Sequence, residues 1–139
     1  MSTPQRIAEL SARVMWDDDP ASQALGMTLV EIGPGRAVVT MTVRSDMVNG
    51  HAIGHGGFTF TVADSAFAFA CNSYNCRTVA QTCTITFLAP TRLGDVLVAE
   101  AVERSRQGRN GIYDITVRCD ENVVAEFRGN SREIEGTFF

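Results

Sequence analysis

The chain has 139 residues, of which 45% are apolar and 20% charged, proportions that fit one soluble globular domain with a sizeable core. A net charge of −4 and an isoelectric point near 5.1 speak against a general nucleic-acid binder, and all twelve basic residues are arginine. Met1 to Leu10 lacks the continuous apolar core of a signal peptide, and Cys71, Cys76, Cys83 and Cys119 show no C-x-x-C spacing. The expectation is a cytoplasmic enzyme with free thiols, no membrane partner and no nucleic-acid partner.

Taken in order, Ile7, Leu10, Val14 and Met15 recur at helical spacing, which predicts an amphipathic helix from Pro4 to Trp16. Asp17-Asp18-Asp19-Pro20 stops it, with Asp19 as N-cap and Pro20 as first residue of a short second helix that ends at Gly26. This helical segment of about 25 residues is expected to pack on the outside. Met27 to Ile32 and Arg36 to Val43 read as strands joined at Gly33-Pro34-Gly35. Val39, Met41 and Val43 alternate with Thr40 and Thr42, as when one sheet face is buried. Arg44 to Gly54 reads as an irregular loop carrying Asp46, Asn49 and His51. After a helix and a turn at Asn72 to Arg77, four strands follow with short hairpins between them: Val79 to Leu88, Val96 to Arg106, Ile112 to Cys119 and Val123 to Arg132. Two strands, one long helix and four strands give an α+β fold class, a curved antiparallel sheet of about six strands round a central helix.

The rest of the chain is organised around residues 49 to 74. From Phe58 to Cys71 the run is apolar on every side of a helical wheel, too short to span a bilayer, and interrupted by Asp64. An acid in a buried helix is either hydrogen-bonded to nearby backbone or has a task, because leaving it unpaired costs several kcal/mol or raises its pKa. The upstream residues favour a task. Gly56-Gly57 opens the helix, where unpaired N–H groups carry partial positive charge and glycine lets a ligand oxygen come close. A helix N-terminus plus a carboxylate suits acyl transfer.

The segment His55-Gly56-Gly57-x-x-Phe60-x-x-Ala63-Asp64-x-Ala66, with Asn49-Gly50-His51 before it, resembles the hotdog-fold acyl-CoA thioesterases, and most of all their phenylacetic-acid-degradation branch. The resemblance continues through Cys83 to Pro90, Gly94-Asp95, Tyr113-Asp114, Phe127-Arg128-Gly129 and Ser131-Arg132, covering roughly residues 15 to 136. It implies hydrolysis of acyl-CoA thioesters, aryl-acyl ones in particular, with no cofactor and no metal. It also implies a homodimer with shared sites, paired into a homotetramer. One subunit would supply Asp64 as nucleophile or general base. The other would supply Gly56, and Gly57 with it, as N–H donors to the thioester carbonyl. Asn49 would position water or thioester, and His55 would hold the carbonyl end. Thr82 is expected to orient water.

Arg92, Arg106, Arg109, Arg128 and Arg132 are candidates for the coenzyme A phosphates, each with a solvated salt-bridging role as the plainer alternative. Phe127 to Ser131 is expected to edge the coenzyme A groove, because Gly129 permits close approach. His51 and His55 are four apart but lie in a glycine-rich loop, not on a helix, so a metal site is not expected. Ser65 and Ser73 lack a G-x-S-x-G setting, and Cys71 and Cys83 read as buried structural thiols. Two alternatives stay open: a hotdog acyl-CoA hydratase, and a non-catalytic acyl-CoA binding or sensing protein.

Overall fold

The computed structural model describes residues 2–139. Helix α1 (Pro4–Asp17) starts at Thr3, whose hydroxyl accepts from the Arg6 N–H, and α2 (Pro20–Ala24) starts at Asp19, whose carboxylate accepts from the Ser22 N–H. The strands are β1 (Thr28–Gly33), β2 (Arg36–Thr42), β3 (Thr78–Phe87), β4 (Val96–Gln107), β5 (Asn110–Cys119) and β6 (Asn122–Glu133). Between β2 and β3 come a short 3₁₀ turn (Ser45–Met47) and the long helix α3 (Gly56–Cys71). All six strands form one antiparallel sheet in the order β1-β2-β4-β5-β6-β3.

That order corrects one expectation. β4, β5 and β6 are joined by tight hairpins, but β3 is not the hairpin neighbour of β4. It pairs with β6 and stands at the sheet's far edge. The link from Leu88 to Asp95 therefore carries the chain back across the N-terminal end of α3. It is fastened there by the Gly54 N–H to the Thr91 carbonyl and by an Ile53–Arg92 bridge.

Helix α3 lies across the inner face of the sheet. Val62, Ala63, Ala66, Phe67, Phe69 and Ala70 are buried, along with inward residues of β2, β4, β5 and β6 such as Val39, Leu97, Ile115 and Phe127. Phe67 sits between Tyr113 and Phe127, with ring centroids 5.7 and 5.9 Å away. It can do so because β6 has glycine at 129: a Cβ there would stand 2.7 Å from the Phe67 ring. Gly129→Ala is accordingly expected to cost about 1–3 kcal/mol through forced displacement of a packed ring, read as a drop in melting temperature.

The outer helices hold α3 from behind. Trp16 packs near Phe69 with centroids 6.3 Å apart, and the Ser22 and Ser65 hydroxyls share a 2.9 Å hydrogen bond. At the other end of α3, the Ser73 hydroxyl donates to the Ala70 carbonyl and accepts from the Gly35 N–H, tying the helix to the β1–β2 turn. Both serines thus have structural bonds. No helix among the described residues is long and apolar enough to cross a membrane.

Candidate active site

The loop before α3 is built on Asn49. Its Oδ1 accepts from the N–H of His51 at 2.9 Å and of Ile53 at 3.3 Å, while its backbone N–H donates to the Ile53 carbonyl. Ala52 takes a left-handed φ of 60° to close this turn. With the oxygen of the amide so engaged, Asn49 keeps its Nδ2 hydrogens for a ligand and can serve as a donor only.

His55 caps the helix. It has extended backbone, and its Nδ1 accepts from the Gly57 N–H at 3.0 Å. An accepting Nδ1 carries no proton, so the imidazole's proton in this arrangement is on Nε2. The cap corrects one expectation: the Gly57 N–H is bonded to His55 and is not an oxyanion donor. The Phe58 N–H is bonded to the His55 carbonyl. The Gly56 N–H has no partner among the described residues and is the free donor of the first turn. Gly56 also lies under Phe87, and a Cβ would stand 3.0 Å from that ring.

Asp64 sits half-buried in the middle of α3. Its carboxylate makes no hydrogen bond or ion pair among the described residues, so it is not the structural acid held by backbone. Lost solvation lifts its carboxyl above the ordinary aspartate value. Burial, and then the charge of Asp64, pushes the Cys71 thiol up to about 12, and the same two causes raise Cys83. Both thiols are therefore held in the protonated form, the weaker nucleophile.

The structure brings Asn49, His55 and Gly56 together at one end of α3 and sets Asp64 apart from them. Eight residues at 1.5 Å rise put about 12 Å of helix between Gly56 and Asp64. Thr82 is exposed on β3, paired with Asn130 beside a register shift between Ala80 and Thr82 and next to Cys83.

The residues expected to meet coenzyme A fare differently. Gly129 is buried, and its open space belongs to Phe67; Ser131 is buried against Gly111. Gly129 and Ser131 therefore belong to the packing of β6, while Phe127 and Arg128 help line an outer groove of about 260 Å³ with Thr84, Thr86, Asp114 and Glu126. Arg128 points outward and grips Asp114 with Nε and Nη2 at 2.6 and 2.8 Å, a carboxylate also bound by Arg104. That grip, Arg128 first, holds the Asp114 carboxyl below its ordinary value. Arg106 stacks on Tyr74 at 3.6 Å, and Arg132 reaches Asn110 at 3.4 Å. No three His, Cys, Asp or Glu side chains among the described residues converge as a metal-binding set.

What sequence reasoning missed is a groove of about 430 Å³ leading away from Gly56. Gly54, Gly56 and Thr59 form one wall, and Phe87, Leu88, Ala89, Pro90 and Thr91 the other. A larger groove, of about 480 Å³, between α1 and β1 is lined by Trp16, Arg13 and Leu29 and by none of the residues above.

A six-stranded antiparallel sheet around a central helix is the hotdog architecture that the sequence led us to expect. Residues 51–126 match the thioesterase superfamily model, and the chain belongs to that superfamily. Among its relatives is the acyl-coenzyme A thioesterase PaaI of Escherichia coli, 46% identical over 128 residues that cover 91% of each chain. The solved structure of the E. coli PaaI protein, from the phenylacetic acid degradation operon, superposes with a TM-score of 0.95 at 43% identity, covering 97% of this chain and 99% of that one. A variant of the phenylacetic acid degradation protein PaaI from Thermus thermophilus gives 0.81 at 36% identity, covering 84% of this chain and 100% of that one.

Proposed function

We propose that the protein hydrolyses aryl-acyl-CoA thioesters such as phenylacetyl-CoA and hydroxyphenylacetyl-CoA to the free acid and coenzyme A, in the degradation of phenylacetate. The observation that carries this reading is Asp64: a half-buried carboxylate with no hydrogen-bond or ion-pair partner among the described residues, on a helix whose first N–H is likewise unpaired among them. The resemblance of the chain to PaaI supplies the acyl class.

In the proposed reaction the Gly56 N–H and the Asn49 amide donate to the thioester end, with His55 Nε2 beside them. Asp64 attacks the carbonyl carbon, or takes a proton from the water that does, and Thr82 orients that water. The oxyanion forms against the Gly56 N–H. Its collapse breaks the carbon–sulfur bond, and the thiolate leaves as coenzyme A and takes up a proton; where Asp64 itself attacked, water then cleaves the resulting mixed anhydride, releasing the acid and restoring the carboxylate. Coenzyme A enters as part of the substrate, and no other cofactor takes part.

A carbonyl carbon cannot meet two groups about 12 Å apart along one helix. A second copy resolves this, bringing its Asp64 to the first copy's Gly56. β3 offers the seam: it is an edge strand of ten residues with one side unpaired, carrying exposed Val79 and Phe87. We therefore read the active form as a homodimer with two shared sites. Pairing of dimers into a homotetramer rests on the resemblance. An acyl-CoA substrate implies a cytoplasmic enzyme.

The test follows thioester absorbance with phenylacetyl-CoA, hydroxyphenylacetyl-CoA and a medium-chain acyl-CoA. Fast loss of the two aromatic substrates is expected. Preference for the aliphatic chain would discard the pathway and keep the chemistry. Binding of all three with no turnover would replace the enzyme with a sensor.

A further inference from the structure

We infer that the groove between α1 and β1 binds a free α-amino acid with an aromatic side chain, its carboxylate on Arg13, its ammonium on Asp17 and its ring on Trp16. The inference goes beyond the thioesterase reading and does not depend on it.

α1 and β1 are pinned together at one end, where the Gln5 side-chain amide donates to the Ile32 carbonyl at 2.7 Å. Beside that pin they leave the groove of about 480 Å³, a size that small-ligand sites share. Its apolar lining is Ala12 and Trp16 from α1, facing Met27, Leu29 and Ile32. Ala12 and Met27 are buried, whereas Trp16, Leu29 and Ile32 stay half-buried and give the groove its surface. Trp16 is held from behind by Phe69, with ring centroids 6.3 Å apart. An indole fixed in this way offers its remaining surface to a second ring, and the Met27 thioether is a favourable neighbour for one.

The charged lining comes entirely from α1. Glu9, Arg13 and Asp17 follow one another at four-residue steps and so share one face of the helix. Glu9 is already engaged: Gln5 and Arg6 donate to its two oxygens at 3.3 and 3.4 Å. Arg13 and Asp17 make no ion pair and no side-chain hydrogen bond among the described residues, with each other included. A base placed four residues before an acid is the weaker order on a helix, because both charges then oppose the dipole. Asp17 stands in the last turn of α1 next to the C-cap Asp18, and no basic residue lies in that turn. It therefore meets the negative end of the helix unrelieved, and an ammonium there removes the repulsion. One cation and one anion a turn apart, above an apolar floor, match a zwitterion with an apolar side chain. A plain aryl acid gains Arg13 and is repelled by Asp17; a plain amine meets the reverse.

Trp16 is the only tryptophan of the chain, so its emission reads this groove directly. The whole protein is titrated with L-phenylalanine, with 3-phenylpropionate, which lacks the ammonium, and with 2-phenylethylamine, which lacks the carboxylate. Excitation is set where neither tyrosine nor ligand absorbs. L-Phenylalanine is expected to change the emission saturably, and each stripped analogue to bind about two- to fivefold more weakly, the usual range for an exposed charge pair. Arg13→Gln should weaken L-phenylalanine by that factor and leave 2-phenylethylamine no weaker. Asp17→Asn should weaken L-phenylalanine and leave 3-phenylpropionate no weaker. No saturable change with L-phenylalanine would overturn the inference. So would stripped analogues that bind as tightly as the amino acid, or variants that weaken all three ligands alike. Emission that moves with protein concentration in place of ligand would also overturn it, giving the groove to a second copy of the chain.

Discussion

Asp64→Asn is expected to lower kcat by about 10²–10⁴, the usual contribution of a positioned base, while the melting temperature stays level or rises. The two halves of this result have one cause. Burial raises the Asp64 carboxyl above its unfolded value, so the folded chain binds the proton more tightly than the unfolded one. Stability then falls as pH climbs through the window between the ordinary aspartate value and the raised one, and at neutral pH the ionised carboxylate is a burden on the fold. Asparagine keeps the shape and removes the charge. The same displacement sets the acid limb of kcat/KM: activity should appear only as pH rises through the lifted pKa. Kinetics across pH and a thermal melt of wild type and variant check both halves. Wild-type turnover in Asp64→Asn would remove the carboxylate from the mechanism.

Mixing two inactive variants should restore activity. Asp64→Asn lacks the carboxylate, and Asn49→Ala loses both the loop's hydrogen-bond hub and its amide donor. If each site draws Asp64 from one copy and Asn49 from the other, a hybrid dimer holds one doubly altered site and one intact site. Random exchange of subunits should then recover about a quarter of the wild-type rate. Recovery is measured after co-denaturing and refolding the pair, against each variant treated alone. A mixture no more active than its parts would place both residues in the same chain's site and overturn the shared-site dimer.

Much of this was legible before the structure. The boundary at Gly56, the buried helix and the carboxylate in its middle follow from composition and period alone, because α3 is apolar on all sides and Asp64 interrupts it. The strands were legible from alternation. Their order was not: local pattern gives β3 its existence, but pairing with β6 depends on contacts formed between strands far apart in the chain. Gly57 and Gly129 were read as places for a ligand, and both have internal occupants, the His55 imidazole and the Phe67 ring. A glycine announces that something approaches closely; it does not say what.

The bond between Ser22 and Ser65 bears on where the working unit begins. Ser65 is the residue after Asp64, so the short second helix holds this turn of α3 from outside. The stretch matched by the superfamily, 51–126, contains Asp64, Gly56 and the groove beside Gly56, yet leaves out α1, α2, β1 and β2. β2 is the strand against which β4 pairs, and its Val39 and Met41 are wholly inside the core. A minimal fragment cut to the matched stretch would keep Gly56, Asp64 and the groove and lose the brace that aims the carboxylate. Transplanting this chemistry into another scaffold means moving the brace along with the helix.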